Sequence, residues 1–287
     1  MSIVVTGASG QYGRRVIEEL RQRVDASRIV AVSRTPDKLA ELGVTTRAGD
    51  FDDPDGLVRA FDGAERLLLI STDAVGRRSV QHRAAIDAAV RAGVGHVFYT
   101  SIIRATDPDN PTLVAVEHRE TEEALAASGL AYTALRHSIY TETLFAQASY
   151  AVTTGVWADN TGDEGKSYVT REELAIVGAE LLTAPEPPGP VLDLTGPAAV
   201  TGKDIAAILS DVSGKAVRFE AITDEQAVDG MVMAGLPVEV ARAYATFGRA
   251  TREGYLNVVT DTVERLLGRR PTTVAEFFAA HRAALTA

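Results

Sequence analysis

The 287-residue chain has no cysteine, which removes disulfides, thiolate metal ligands and thiol nucleophiles from consideration. It has only four lysines, at 38, 166, 203 and 215, so chemistry that needs an ammonium group has few places to occur. No apolar run approaches the ~20 residues of a membrane span. The first strand begins at Ser2, which leaves no room for a signal peptide, and a cytoplasmic location is expected. Cations are also in deficit: 29 basic against 39 acidic residues give a net charge of −10. That balance argues against nonspecific attraction to nucleic acid or to anionic lipid. A small-molecule partner fits better, and a homodimer is compatible with the sequence.

What is present begins with Ser2-Ile3-Val4-Val5-Thr6-Gly7-Ala8-Ser9-Gly10-Gln11-Tyr12-Gly13. An apolar strand runs into three glycines spaced G-x-x-G-x-x-G and then into a helix whose apolar residues recur at Val16, Ile17 and Leu20. Gly7 and Gly10 leave no Cβ between backbone and ligand. Amides there and at the helix N-terminus can therefore point at a pyrophosphate, with the helix dipole adding attraction. Gly13 would let helix and strand pack closely. The position of the motif, between first strand and first helix, points to a dinucleotide.

Arg28 to Arg34 reads as a second buried strand. An NAD site would place a carboxylate about 20 residues past the glycines. Ser33 and Arg34 stand there instead. A guanidinium matches a 2′-phosphate in charge and geometry, which favours NADP over NAD, and Lys38 lies one helical turn on. Further βα units follow, with strands at Thr45 to Asp50, Arg66 to Ile70, Val97 to Thr100 and Tyr132 to Arg136. The pattern implies an α/β fold with a Rossmann-type, doubly wound parallel sheet, and ligand contacts in such a sheet gather at strand C-termini. That puts Ile70, Ser71, Thr100 and Ser101 near the nicotinamide, and His137 to Tyr140 toward a substrate.

From about residue 140 the alternation weakens. Gly155 to Gly165, which contains Trp157, reads as a loop over a site, and Thr201/Asp204, Thr223/Gln226 and Thr273/Glu276 mark helix starts. We expect an NADP-binding domain over residues 1–150, to which the segment 167–196 returns, and a smaller, mostly helical substrate domain over 151–287.

The short-chain dehydrogenase mechanism needs a Tyr with a Lys four residues on, so that the ammonium lowers the phenol pKa. None of the eight tyrosines has one: the i+4 residues are Val16, Ile103, Arg136, Leu144, Thr154, Glu172, Gly248 and Val259. His118 and Glu122 share a helix face at i,i+4, a spacing that suits an acid/base pair, metal ligands or an exposed helix pair. No third ligand is evident and no metal is assigned.

Taken together, Val4 to Gly13, Ser33-Arg34, Gly49-Asp50-Phe51, Tyr99-Thr100-Ser101, Glu117 to Glu122, Leu135 to Tyr140 and Leu194 to Pro197 resemble the NmrA-like atypical short-chain dehydrogenases. The pattern is that of the quinone oxidoreductase and triphenylmethane reductase branch. The resemblance implies an NADP(H)-binding Rossmann domain, a smaller C-terminal domain and a substrate cleft between them, without the Tyr/Lys dyad. It further implies that Gly7, Ser9, Gly10, Gln11 and Tyr12 cradle the pyrophosphate, with Thr6 and Gly13 in the same cofactor-binding turn, and that Arg34 and Lys38 hold the 2′-phosphate. Asp50 and Phe51 would border the adenine, and Ile70, Ser71, Thr100 and Ser101 the ribose and nicotinamide. Tyr12 departs from the more usual Leu of the turn, and His137 from Asn. The candidate acceptor contacts are Ser101, His118, His137, Tyr140 and Trp157. The expected activity is NADPH-dependent hydride transfer to a quinone-like or other conjugated, electron-poor molecule. The alternative is a non-catalytic NADP(H)-binding regulator that reports redox state through a protein partner.

Overall fold

The computed structural model describes residues 2–286. In chain order its elements begin β1 (Ile3–Val5), α1 (Gln11–Leu20), β2 (Ile29–Ser33), β3 (Thr45–Ala48), α2 (Pro54–Phe61), β4 (Arg66–Leu69), α3 (Arg78–Arg91), β5 (His96–Ile102), α4 (Leu113–Ala127) and β6 (Tyr132–His137). Then come β7 (Ile139–Tyr140), α5 (Phe145–Thr154), β8 (Val156–Asp159), β9 (Gly165–Val169), α6 (Arg171–Thr183), β10 (Val191–Leu194) and β11 (Ala199–Thr201). The chain ends with α7 (Gly202–Ser213), β12 (Arg218–Ala221), α8 (Asp224–Met233), α9 (Val238–Arg252), α10 (Thr262–Leu267), α11 (Val274–Ala280) and α12 (Arg282–Thr286). Two compact units result. The first comprises Met1–Thr106, Val116–His137 and Arg171–Asp193; the second, Asp107–Ala115, Ser138–Thr170 and Leu194–Ala287. Residues 138–150, assigned above to the first domain, thus fall in the second unit, and the segment returning to the first is Arg171–Asp193.

The first unit is built on a sheet of order β10-β6-β5-β4-β1-β2-β3, with parallel pairing from β3 through to β6. The Rossmann-type, doubly wound sheet read from the sequence is therefore present. β1, β2 and β4 are buried along their whole length, as strands covered by helices on both faces must be, and their Val, Ile and Leu content follows from that. β3 is the edge strand, and its Thr45, Thr46, Arg47 and Ala48 are exposed or half-buried. One apolar cluster packs Val30, Leu57, Phe61, Leu67, Ile86, Val97 and Tyr99 together. Arg66 is a charge inside this interior. Its Nη1 donates to the carbonyls of Leu181 (3.3 Å) and Leu182 (2.8 Å) at the end of α6, where carbonyls lack helical partners and the dipole favours a cation.

The second unit holds a three-stranded sheet, β11-β9-β7, and a two-stranded one, β12-β8. Its core gathers Trp157, Tyr168, Ile205, Leu209, Phe277 and Phe278. The segment Gly155 to Gly165, expected as a loop, instead supplies β8 and leads into β9. β8 pairs with β12, some 60 residues later in the chain, in the register Trp157↔Phe219. Among the described residues no helix is long and apolar enough to cross a membrane.

Candidate functional site

The glycine turn lies at the C-terminal end of β1. Gly7 has φ +60°, and its carbonyl accepts from the Gly10 amide at 2.9 Å. That φ favours glycine. A Cβ on Gly13 would stand 2.5 Å from the Gly7 oxygen, so only glycine lets α1 approach the turn this closely. The N-cap of α1 is Gly10, which offers no side-chain acceptor, and no acidic residue occupies the first turn. The leading amides of α1 are thus left to an external anion, and the cradle fits a pyrophosphate. Tyr12 can contribute only its backbone N–H there. Its hydroxyl reaches the Leu174 carbonyl at 3.5 Å and its ring meets the edge of His137, with centroids 5.2 Å apart.

Beside the turn, hydroxyls stitch the strand ends together. Thr6 Oγ1 donates to the Leu68 carbonyl (3.1 Å) and accepts from the Ile70 amide (2.9 Å). Thr100 Oγ1 accepts from the Ser71 amide (2.8 Å) and lies 3.2 Å from Ser71 Oγ. Thr6, Ile70, Ser71 and Thr100 are thereby brought together at the ends of β1, β4 and β5. Ser9 and Ser33 meet as well, at 3.4 Å.

A cleft of about 400 Å³ runs past the end of β2 and along β3 and α2. Arg34, Arg47, Gly49, Asp50, Asp53 and Arg59 line it, whereas Lys38 does not. Arg34 and Lys38 are both exposed. Phe51, half-buried, packs on the apolar cluster and faces the His82 ring.

The other candidates are placed differently. Ser101 is 2% exposed, and its Oγ donates to Glu122 Oε1 (2.6 Å), a carboxylate that also pairs with Arg136 Nη2 (2.6 Å). His118 is 3% exposed, and its Nδ1 lies 2.7 Å from the Tyr99 hydroxyl. Burial pushes the His118 pKa well down and the Tyr99 pKa up, so the phenol stays protonated and the imidazole neutral. Burial also takes His137 down to about 3. Both Ser101 and His118 are therefore engaged inside the first unit. Tyr140 is half-buried in β7, paired with Val169. Trp157, expected in a loop over the site, is 1% exposed in the core of the second unit, where its indole has no free face for a substrate.

A Tyr/Lys contact does occur, though not at the dehydrogenase spacing. Lys166 and Tyr168 share one face of β9 and hydrogen-bond through their side chains, with Asp159 Oδ2 3.9 Å from the ammonium. Burial raises the Tyr168 pKa despite that ammonium, which is opposite to what a dehydrogenase acid requires. Among the described residues no group of His, Cys, Asp and Glu could hold a metal.

Sequence reasoning missed the side chains that hold the loop after β4. His82 Nε2 accepts from the Thr72 amide (3.1 Å). Burial, assisted by the nearby Arg78 charge, pushes the His82 pKa down to about 3. The ring is neutral, so its Nδ1 carries the proton and donates to Thr121 Oγ1 at 2.9 Å. Glu117 Oε1 accepts from the amides of Gly76 (2.9 Å) and Arg78 (3.0 Å). Their partners lie 10 to 41 residues away in sequence, beyond any local pattern.

A family described as NAD(P)H-binding matches residues 7–185. Quinone oxidoreductase 2 of Escherichia coli (strain K12) is 39% identical over 277 residues, which cover 96% of each chain. A solved NADPH-dependent quinone oxidoreductase from E. coli, complexed with NADPH, superposes with a TM-score of 0.93 at 38% identity, covering 97% of this chain and 99% of that one. Citrobacter sp. triphenylmethane reductase complexed with NADP(H) gives 0.90 at 33% identity, covering 98% and 100%.

Proposed function

The chain belongs to the NAD(P)H-binding family, within its NmrA-like branch of NADP(H)-dependent oxidoreductases, and from that premise we propose that it reduces a quinone or a comparably electron-poor conjugated molecule. The observation that carries the proposal is the uncapped first turn of α1 on a chain whose whole length is similar to a quinone oxidoreductase. NADPH, when bound, supplies the hydride.

This chain's residues bind and orient. Gly7, Ser9, Gly10, Gln11 and Tyr12 hold the pyrophosphate, chiefly through backbone amides, and Arg34 meets the 2′-phosphate. Asp50 and Phe51 border the adenine. Thr6 and Thr100 tie the backbone of Ile70 and Ser71 through the bonds described above, so the nicotinamide end rests on strand ends held by side-chain hydroxyls. A quinone that receives hydride needs one proton to become a hydroquinone, and water can deliver it. Catalysis then rests on proximity and orientation. Ser101 and His118 act by shaping the interior beneath the strand ends.

Relatives that carry oxidoreductase names cover nearly the full chain, so the regulator is not adopted. Steady-state assays with NADPH and a panel of benzoquinones, naphthoquinones and triphenylmethane dyes test the proposal. Turnover above background with at least one acceptor is expected; none, with NADPH shown to be bound, overturns it.

A further inference from the structure

The cleft beside β3 carries three guanidinium groups in a protein with a net charge of −10. Their circumstances differ. Arg47 is structural, since its Nη1 donates to the carbonyls of Ala60 (3.0 Å) and Asp62 (2.8 Å) and so ties the edge strand to the end of α2. Arg34 makes no hydrogen bond or ion pair among the described residues. Arg59, on α2, has one neighbouring carboxylate, with Nη2 3.8 Å from Asp53 Oδ2, and its side chain is 73% exposed. That contact is loose.

The two carboxylates in the cleft, Asp50 and Asp53, leave it with an excess of one positive charge against the three guanidiniums, and each is held by backbone. Asp53 Oδ1 accepts from the Gly56 amide (3.0 Å), capping α2, and Asp50 Oδ1 accepts from the Asp52 amide (3.1 Å). Two exposed guanidiniums, Arg34 and Arg59, therefore line one cleft at the end of β2, where the ribose 2′ position of a dinucleotide comes to rest in this fold. Lys38, the second cation that sequence spacing suggests, does not line it.

We infer that Arg59 is a second guanidinium for the 2′-phosphate of NADP(H), acting with Arg34 from the α2 side of the cleft, and that it sets part of the preference for NADP(H) over NAD(H). This rests on dinucleotide binding at the α1 turn. The chemistry is that of a forked donor meeting a dianionic phosphate, and an arginine suits it better than a lysine. Asp53 keeps Arg59 near the cleft without holding it, so the side chain can swing to the phosphate while Asp53 continues to cap α2.

Binding of NADPH and of NADH to the full chain, followed by nicotinamide fluorescence without any acceptor, tests the inference in Arg59→Ala, Arg59→Lys and Arg34→Ala. Adenosine 2′,5′-bisphosphate and AMP serve as competing probes. Arg59→Ala is expected to weaken NADPH and the bisphosphate about tenfold while leaving NADH and AMP within about twofold. Arg59→Lys should recover part of the loss, and added salt should erode the wild-type preference for NADPH. An equal effect of Arg59→Ala on both cofactors, or no effect while Arg34→Ala weakens NADPH alone, overturns the role of Arg59 and leaves the cofactor site standing. Failure of the wild-type chain to bind NADPH overturns the underlying site as well.

Discussion

At the starts of α7, α8 and α11 a threonine hydroxyl accepts the amide three residues on, and the side chain there returns to the threonine amide: Thr201 with Asp204, Thr223 with Gln226, Thr273 with Glu276. The start of α1 has Gly10, no side-chain acceptor and no carboxylate in its first turn. All four helices begin with amides that their own backbone cannot satisfy. In three of them the chain closes its own N-terminus; in α1 it leaves the amides to a ligand. The loop after β4 is closed in another way, with the Thr72 amide on a neutral His82 and those of Gly76 and Arg78 on Glu117. An open turn thus sits beside a loop held by buried side chains, and the contrast separates what binds from what positions.

The largest effect should come from removing the closures that titrate. His82, His118 and His137 are all held neutral with pKa values far below 6.5, and His96 is brought down to about 4 by burial and by the nearby Arg66 charge. A folded-state pKa below the unfolded value means that the unfolded chain binds the extra protons first. The stability is therefore complete above about pH 6.5 and is lost as pH falls toward the folded values. Between pH 7 and 5.5 each of His82, His96 and His137 should remove about 1 kcal/mol, roughly 3 kcal/mol in sum, with His118 acting in the same direction, read from urea unfolding at the two pH values. His82→Gln keeps a neutral acceptor within reach of the Thr72 amide and should reduce that pH dependence by about 1 kcal/mol. An unchanged slope would mean that His82 does not resist protonation.

Next in size is an attempt to close the open turn. Gly10 has φ −79° and ψ 164°, an extended conformation that aspartate adopts at an N-cap, and an added Cβ would sit 3.3 Å from the Gly7 oxygen. Gly10→Asp would cap α1 with its own carboxylate and set a negative charge against the pyrophosphate. NADPH affinity should fall by about a hundredfold, or ~3 kcal/mol, with unfolding of the ligand-free chain changed by less than about 1 kcal/mol. Equal loss of stability and of binding would show that Gly10 serves the fold rather than the ligand.

How much of this was legible in sequence depended on how far each partner lay along the chain. The βα alternation, the glycine spacing and the three capping boxes are local patterns, and the sheet order and helix starts agree with them. Trp157 was misread because Gly155, Asp159, Asn160, Gly162 and Asp163 mimic a loop, while the strand that pairs with it, β12, lies about 60 residues on. Arg66 opens a strand of leucines, and nothing near it announces the carbonyls of α6 that make its burial tolerable. Arg59 likewise reads as an ordinary exposed helix cation until the cleft places it with Arg34. Buried polar side chains acquire their meaning from tertiary partners, and a single sequence does not supply those pairings.

The smallest effect is the control on the closed side. In α11, Thr273 Oγ1 accepts from the Glu276 amide at 3.1 Å, while Glu276 Oε2 accepts from the Thr273 amide at 2.8 Å. Thr273→Ala deletes the first bond together with the exposed one that the hydroxyl donates to Glu276 Oε2 (2.7 Å), and leaves the second, since the backbone amide of residue 273 survives the change. Loss of one capping acceptor lowers helix stability by about 1 kcal/mol, and the retained Glu276 bond places Thr273→Ala in the lower half of the usual range of ~0.5–2 kcal/mol. Phe277 and Phe278, just inside the helix, pack in the core of the second unit, so fraying at Thr273 should appear in global unfolding rather than as local opening. NADPH affinity should not move, because the amide of Glu276 answers to its own chain and not to a ligand. A loss of NADPH binding in Thr273→Ala as large as in Gly10→Asp would erase the distinction between open and closed helix starts. Lower stability with unchanged affinity assigns the closed start of α11 to the fold and the open start of α1 to the ligand.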